Sequence, residues 1–128
     1  MLSGLPKAKG YRIRIKPLRY RQSPHLQAEC DWGEKVITIQ VPIPFRTFTE
    51  PVAYKAKRIK ASRGKLTFKW FVRNVEFRTP RDVVRFLYLH EWYHYYLHDV
   101  LGKTGQAETA CDRFALAGFR KRTAPAPR

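Results

Sequence analysis

The run His90-Glu91-Trp92-Tyr93-His94 sets two imidazoles four positions apart, with an acid directly after the first. On a helix, positions i and i+4 share one face, so both rings reach a single divalent ion while the carboxylate at i+1 lies beside it, within reach of a water proton. The chemistry on offer is zinc-assisted hydrolysis. A catalytic zinc site uses three protein ligands and leaves one position open, so a third donor must come from elsewhere in the chain. Glu108, 14 residues after His94, is the best candidate. Asp112, four residues further along the same face, suits the task of accepting the free N–H of a ligand histidine. His98 extends the face of His90 and His94. Histidines at i, i+4 and i+8 rise about 6 Å per step, however, so the outer two cannot share one ion, and His98 is expected beside the ligands or at the surface.

These residues need two helices to position them. Thr79-Pro80-Arg81-Asp82 is a helix start, with Thr79 as N-cap, proline at the first helical position and an acid in the first turn. The spacing of Val83, Leu87, His90, His94, Leu97 and Leu101 predicts a helix running to about Leu101. Gly102 and Gly105 bracket a short connection, and Gln106 to about Lys121 reads as a second helix with Ala107, Ala110, Phe114 and Ala117 on one face. The connection is short enough to fold Glu108 back across the histidines.

HEWYH followed by ETACD resembles the HExxH plus ExxxD signature of gluzincins, the thermolysin-type zinc peptidases. The likeness is nearest to the one-domain forms, minigluzincins and ImmA/IrrE-like domains. In these a small sheet precedes a helix of the type HELxHxxxH, and a second helix resembling AExxADRFA follows. Leu87 to Phe119 matches that outline, about a quarter of the chain, with Trp92 and Cys111 standing where a small aliphatic residue and alanine are commoner. The resemblance implies that His90, His94 and Glu108 bind Zn2+, that Glu91 is the general base of peptide-bond hydrolysis, and that Asp112 braces a histidine. It also implies a DNA-associated protein, such as a repressor, as a target.

The N-terminal half must supply the sheet. Tyr11, Ile13 and Ile15 alternate with basic residues, as in a half-buried strand that Pro17 weakens, and Glu29 to Val41 reads as a hairpin. Between Pro51 and Val75 there is no acid, while Lys55, Lys57, Arg58, Lys60, Arg63, Lys65, Lys69 and Arg73 accumulate. The first half of this block fits a short helix or an extended loop. The second, Leu66 to Phe77, fits a long or bulged strand that could hold a substrate at the rim of the cleft. With Tyr54, Phe68, Trp70 and Phe71 interleaved, the block could also contact nucleic acid. Tyr54 and His25 are weak candidates for steadying an oxyanion.

The expected fold is α+β: a small, mostly antiparallel sheet packed on the HExxH helix, followed by a second helix, all in one domain over 1–119. The basic, Pro-rich stretch 120–128 is expected to be disordered. Lys and Arg number 26 against 10 Asp and Glu, a net charge of +16, which calls for an acidic partner: an acidic peptide or protein substrate, or nucleic acid. Two cysteines without a CxxC pairing fit free thiols, and no apolar run is long enough for a signal peptide or a membrane span. Cytoplasmic residence is therefore expected. The competing reading is a basic nucleic-acid-binding module that keeps a structural or vestigial metal site.

Overall fold

Alternating apolar residues in Val36–Pro42 bury Ile37 and Ile39 completely and make this strand, β3, the centre of a three-stranded sheet. The computed structural model describes residues 2–60, 64, 66–105, 107–124 and 127, without the side chains at 58–60 and 66. Strand β2, Gln27–Asp31, pairs antiparallel with β3, from Gln27 opposite Gln40 to Asp31 opposite Val36, so the expected hairpin forms. Its turn is held by the Glu34 N–H, which donates to Asp31 Oδ1 at 2.9 Å. Strand β1, Arg12–Leu18, joins β3 from the other side in parallel register. Pro17 stays within β1 because β1 is an edge strand, where a missing N–H need not break a ladder. Edge placement also leaves Ile13 and Ile15 at 37% and 52% exposure, so this strand is not the half-buried one the alternation suggests.

The basic block forms a second sheet. Strands β4, Phe48–Lys60, and β5, Leu66–Phe77, pair as an antiparallel ribbon with a bulge between Ala53 and Lys55. The short helix or loop expected for the first half of the block is therefore a strand, because β5 supplies a cross-strand partner along nearly its whole length. The architecture is α+β with two small sheets, one mixed and one antiparallel, in place of a single sheet. Stacked and edge-on phenyl rings fasten the ribbon's base: Phe77 lies 5.2, 5.3 and 5.7 Å from the ring centres of Phe48, Phe86 and Phe119.

Helix α1, Pro80–Tyr95, begins as its sequence predicts, with the Asp82 N–H donating to Thr79 Oγ1 at 3.2 Å. Thr79→Ala is expected to lower stability by about 1 kcal/mol, read from chemical denaturation, because it leaves that N–H without its cap. All residues from Val83 to Tyr95 are buried, since α1 runs between the three-stranded sheet and the second helix. The helix continues as a π-helical turn, Tyr96–Val100, and stops at Gly102, whose φ of 67° suits a residue without a side chain. Helix α2 spans Glu108–Gly118, shorter than the expected 106–121, and Gln106 lies outside the described residues. Ala107, just before it, adopts φ 33°, a left-handed conformation unusual for a residue with a Cβ.

Residues 120–124, within the stretch expected to be disordered, carry defined bonds. Lys121 and Arg122 carbonyls accept from the Arg85 guanidinium, and the Ala124 N–H donates to Gly4 O at 3.1 Å. Among the described residues, no helix is long and apolar enough to cross a membrane.

Candidate metal centre

One carboxylate meets both histidines. Glu108 Oε2 lies 2.8 Å from His90 Nε2, and Glu108 Oε1 lies 3.1 Å from His94 Nε2. The two rings are 5.0 Å apart at 66°. His90 Nδ1 meets Asp112 Oδ1 at 2.7 Å, and Glu91 Oε2 lies 3.7 Å from His90 Nε2. Glu108 reaches across because α2 starts at that residue, and because aromatic rings clamp α2 to α1. Phe114 stacks on Tyr93 at 4.8 Å and on Trp92 at 5.5 Å. Trp92 thus serves the packing that aims Glu108.

A second donor lies close by. A nitrogen of His90, a nitrogen of His94 and Cys111 Sγ all fall within 4.8 Å of one another, and Cys111 is fully buried. Sequence reading treats this cysteine as a plain free thiol. The available signal was its place three residues after Glu108, on the same side of α2.

The charges interact strongly. Burial works against a proton on His90, but its hydrogen bonds to Asp112 and Glu108 outweigh burial and raise its pKa to about 10. His94 is lowered, first by burial and then by the neighbouring His90. Glu108 is lowered, chiefly because it accepts a hydrogen bond from His90. Glu91, 6% exposed, is pushed up to about 7 by burial, with His90 opposing and the carboxylates of Glu108 and Asp112 adding to the rise. Burial also raises the Cys111 thiol, so it is protonated unless something cationic binds to it.

Two cavities flank Glu91. The larger, about 400 Å³, is lined by Leu26, Gln27, Ala28, Glu50, Pro51, Val52 and the residues of α1 and α2 around His90, Glu91 and Asp112. The other, about 330 Å³, takes in Glu29, Cys30, Trp32, His94 and Glu108. Strand β2 runs along both, and among the described residues it pairs only with β3, so its far edge carries no neighbouring strand there. The substrate-holding strand expected in Leu66 to Phe77 borders neither cavity, because the start of β4, not β5, is the part of the ribbon that reaches the cleft. Glu29, Glu50, Glu91, Glu108 and Asp112, five of the chain's ten acids, line this cleft, and among the described residues no Lys or Arg does. The cleft's charge is thus opposite to that of the chain.

The other candidates fall elsewhere. His98 stacks on Trp32 at 4.0 Å and pairs with Asp99 at 2.7 Å, so it steadies the wall of the smaller cavity and makes no hydrogen bond to His90 or His94. His25 and Tyr54 line neither cavity. Lys55, Lys57, Lys69 and Arg73 lie on the ribbon, away from the centre. Arg58 and Lys60 occupy β4 by backbone only, and Arg63 and Lys65 lie outside the described residues. No family model, curated protein or solved structure matches this chain.

Proposed function

We propose that this chain is a zinc-dependent peptidase of the gluzincin type. The observation that carries the reading is the bridge of Glu108 across both Nε2 atoms, with Asp112 on the far nitrogen of His90 and buried Glu91 alongside. Two imidazoles and a carboxylate are a donor set zinc favours, and an acid on the outer nitrogen turns the ligand's lone pair toward the ion. In their place the metal-free protein keeps a proton on His90, which binding would release. A bound zinc supplies Lewis acidity, polarising a peptide carbonyl and acidifying a water.

The residues of the chain do the rest. Glu91, with basicity near neutrality, accepts a water proton on its carboxylate and returns it to the departing amine. The free edge of β2 offers backbone N–H and C=O groups to an extended peptide. Glu29 and Glu50, on either side of Glu91, favour a peptide with cationic side chains.

The test begins with metal. Purified protein is expected to hold one zinc per chain and to cleave a peptide library with a preference for Lys or Arg beside the scissile bond. Asp112→Asn should weaken zinc binding about 10- to 100-fold, as loss of a ligand's outer partner generally does. Glu108→Ala should weaken it more, and Cys111→Ser not at all. Zinc retained in Glu108→Ala but lost in Cys111→Ser would replace the carboxylate with the thiolate as third ligand and remove the gluzincin reading.

A further inference from the structure

The β4–β5 ribbon changes character along its length. Near its base, Phe77, Val75, Phe48 and Val52 bury one face against the body. Past Val75 and Val52, strand alternation puts Arg73, Phe71 and Lys69, with Lys55 and Lys57 opposite, on that same side. Apolar packing there gives way to charge. Lys55 Nζ and Lys69 Nζ lie 5.7 and 5.5 Å from the Phe71 ring centre, and the Arg73 guanidinium lies 5.6 Å from that of Tyr54. Helix α2 adds Arg113, which donates to Tyr54 O at 3.5 Å. Arg73, Arg113 and Tyr54 border a hollow of about 190 Å³ between ribbon and helix. Among the described residues, none of these five cations has an acidic partner within ion-pair distance.

The opposite face runs the other way. Glu76 and Asn74 occupy its base, but Val72, Trp70 and Phe68 further out are 53%, 54% and 54% exposed. The Phe68 and Trp70 rings are 6.4 Å apart. A face that served solubility alone would not display an indole and a phenyl ring in succession, and rings meant for the core would be covered.

We infer that the ribbon is a docking arm for single-stranded nucleic acid: phosphates lie against the cationic face and the Arg73–Arg113 hollow, and bases stack on Phe68 and Trp70. Charge complementarity selects the partner, since the ribbon carries no acid between Pro51 and Val75. The arrangement of the faces selects its form. The ribbon cations whose side chains are described lie on the side away from the exposed rings, while the register sets Arg58 across from Phe68 and Lys60 across from Leu66 on the ring side; a stiff duplex keeps its bases away from those rings. A flexible strand passing over the ribbon's edge meets both faces, and among the described residues both outer edges of this two-stranded sheet are free of a third strand. The inference does not depend on the peptidase reading, because neither zinc nor hydrolysis enters its readout.

The experiment is fluorescence anisotropy of a labelled oligo-dT of about 15 nucleotides with the full chain, a length near the upper site size of such modules. Binding should weaken as salt rises, with a log–log slope near −3 if about four phosphates are contacted, at ~0.7 per contact on a single strand. Trp70→Ala should weaken binding about tenfold without changing the slope. Arg73→Gln with Arg113→Gln should make the slope shallower by about 1.4. Far-UV circular dichroism checks that each variant folds, which exposure of these side chains favours. The inference is overturned by no binding at about 50 mM salt, by a Trp70→Ala protein that binds as wild type does, by equal or tighter binding of duplex, or by binding to anionic vesicles in place of the oligonucleotide.

Discussion

Glu91→Gln is expected to slow peptide hydrolysis about 100- to 10,000-fold while zinc content and fold stay as in the wild type. Gln keeps the shape of the side chain but cannot accept a proton. Glu91 is not among the proposed ligands, lies 3.7 Å from His90 Nε2 and is 6% exposed, so the exchange leaves the donor set and the surrounding packing in place. Stability offers a second readout. The folded-state pKa of Glu91 is raised from 4.5 to about 7, so folding favours its protonated form. The cost of burying the charge appears as pH climbs from 4.5 toward 7 and is fully present above that. In the metal-free protein at pH 8, the Gln variant should therefore melt no lower than wild type. A variant that held zinc and hydrolysed peptides at the wild-type rate would remove Glu91 from the chemistry. No hydrolysis by either protein would leave the binding-module reading, in which the metal is structural.

Much of the candidate site's geometry was legible because helical spacing is local. A cap at Thr79, two histidines one turn apart and a glycine stop at Gly102 require no knowledge of distant contacts, and helix α1 follows them closely. Glu108 could be nominated for the same reason: the link between the helices is too short to carry it far. The cleft's walls were not legible. Glu29 and Glu50 lie 62 and 41 positions before Glu91, and they meet it only because β2 docks on α1 and the start of β4 passes the same cavity. A sum over the chain cannot show that half its acids gather at one cleft. The first half of the basic block failed as a strand prediction because Val52, Ala56 and Ile59 recur at spacings of four and three, as on a helix, with a bulge between Ala53 and Lys55 breaking any alternation, and only pairing with β5 fixes it. Arg85 gave no signal at all, since an arginine on a predicted helix is ordinarily solvent-facing.

Arg85→Met should lower stability by about 3 kcal/mol or more, a large part of what a domain this size possesses. Arg85 is 2% exposed, and its guanidinium is a clamp on backbone carbonyls. Nε donates to Phe119 O at 3.0 Å, Nη1 to Ser3 O at 2.8 Å, and Nη2 to Lys121 O at 2.6 Å and Arg122 O at 3.4 Å. Methionine fills the space of the stem but gives those carbonyls no donor: Phe119 O, in a buried bond, is left uncompensated, and the part-buried carbonyls of Ser3, Lys121 and Arg122 each lose a charge-assisted bond. The segments on either side are close-packed: at Gly4, φ 79°, a Cβ would lie 1.9 Å from Arg122 O, so nothing can shift inward to replace the lost bonds. The clamp also bears on the proposed zinc site. Phe119 ends the helix whose first residue is Glu108, so Arg85 fixes α2 at one end while the carboxylate is presented at the other. Urea denaturation measures the stability change, and zinc titration of the folded variant measures the second effect, expected as weaker binding with Asp112 and both histidines unchanged. A loss under about 1 kcal/mol would mean that water serves those carbonyls as well as the guanidinium does, and would strip Arg85 of its role in setting the helix.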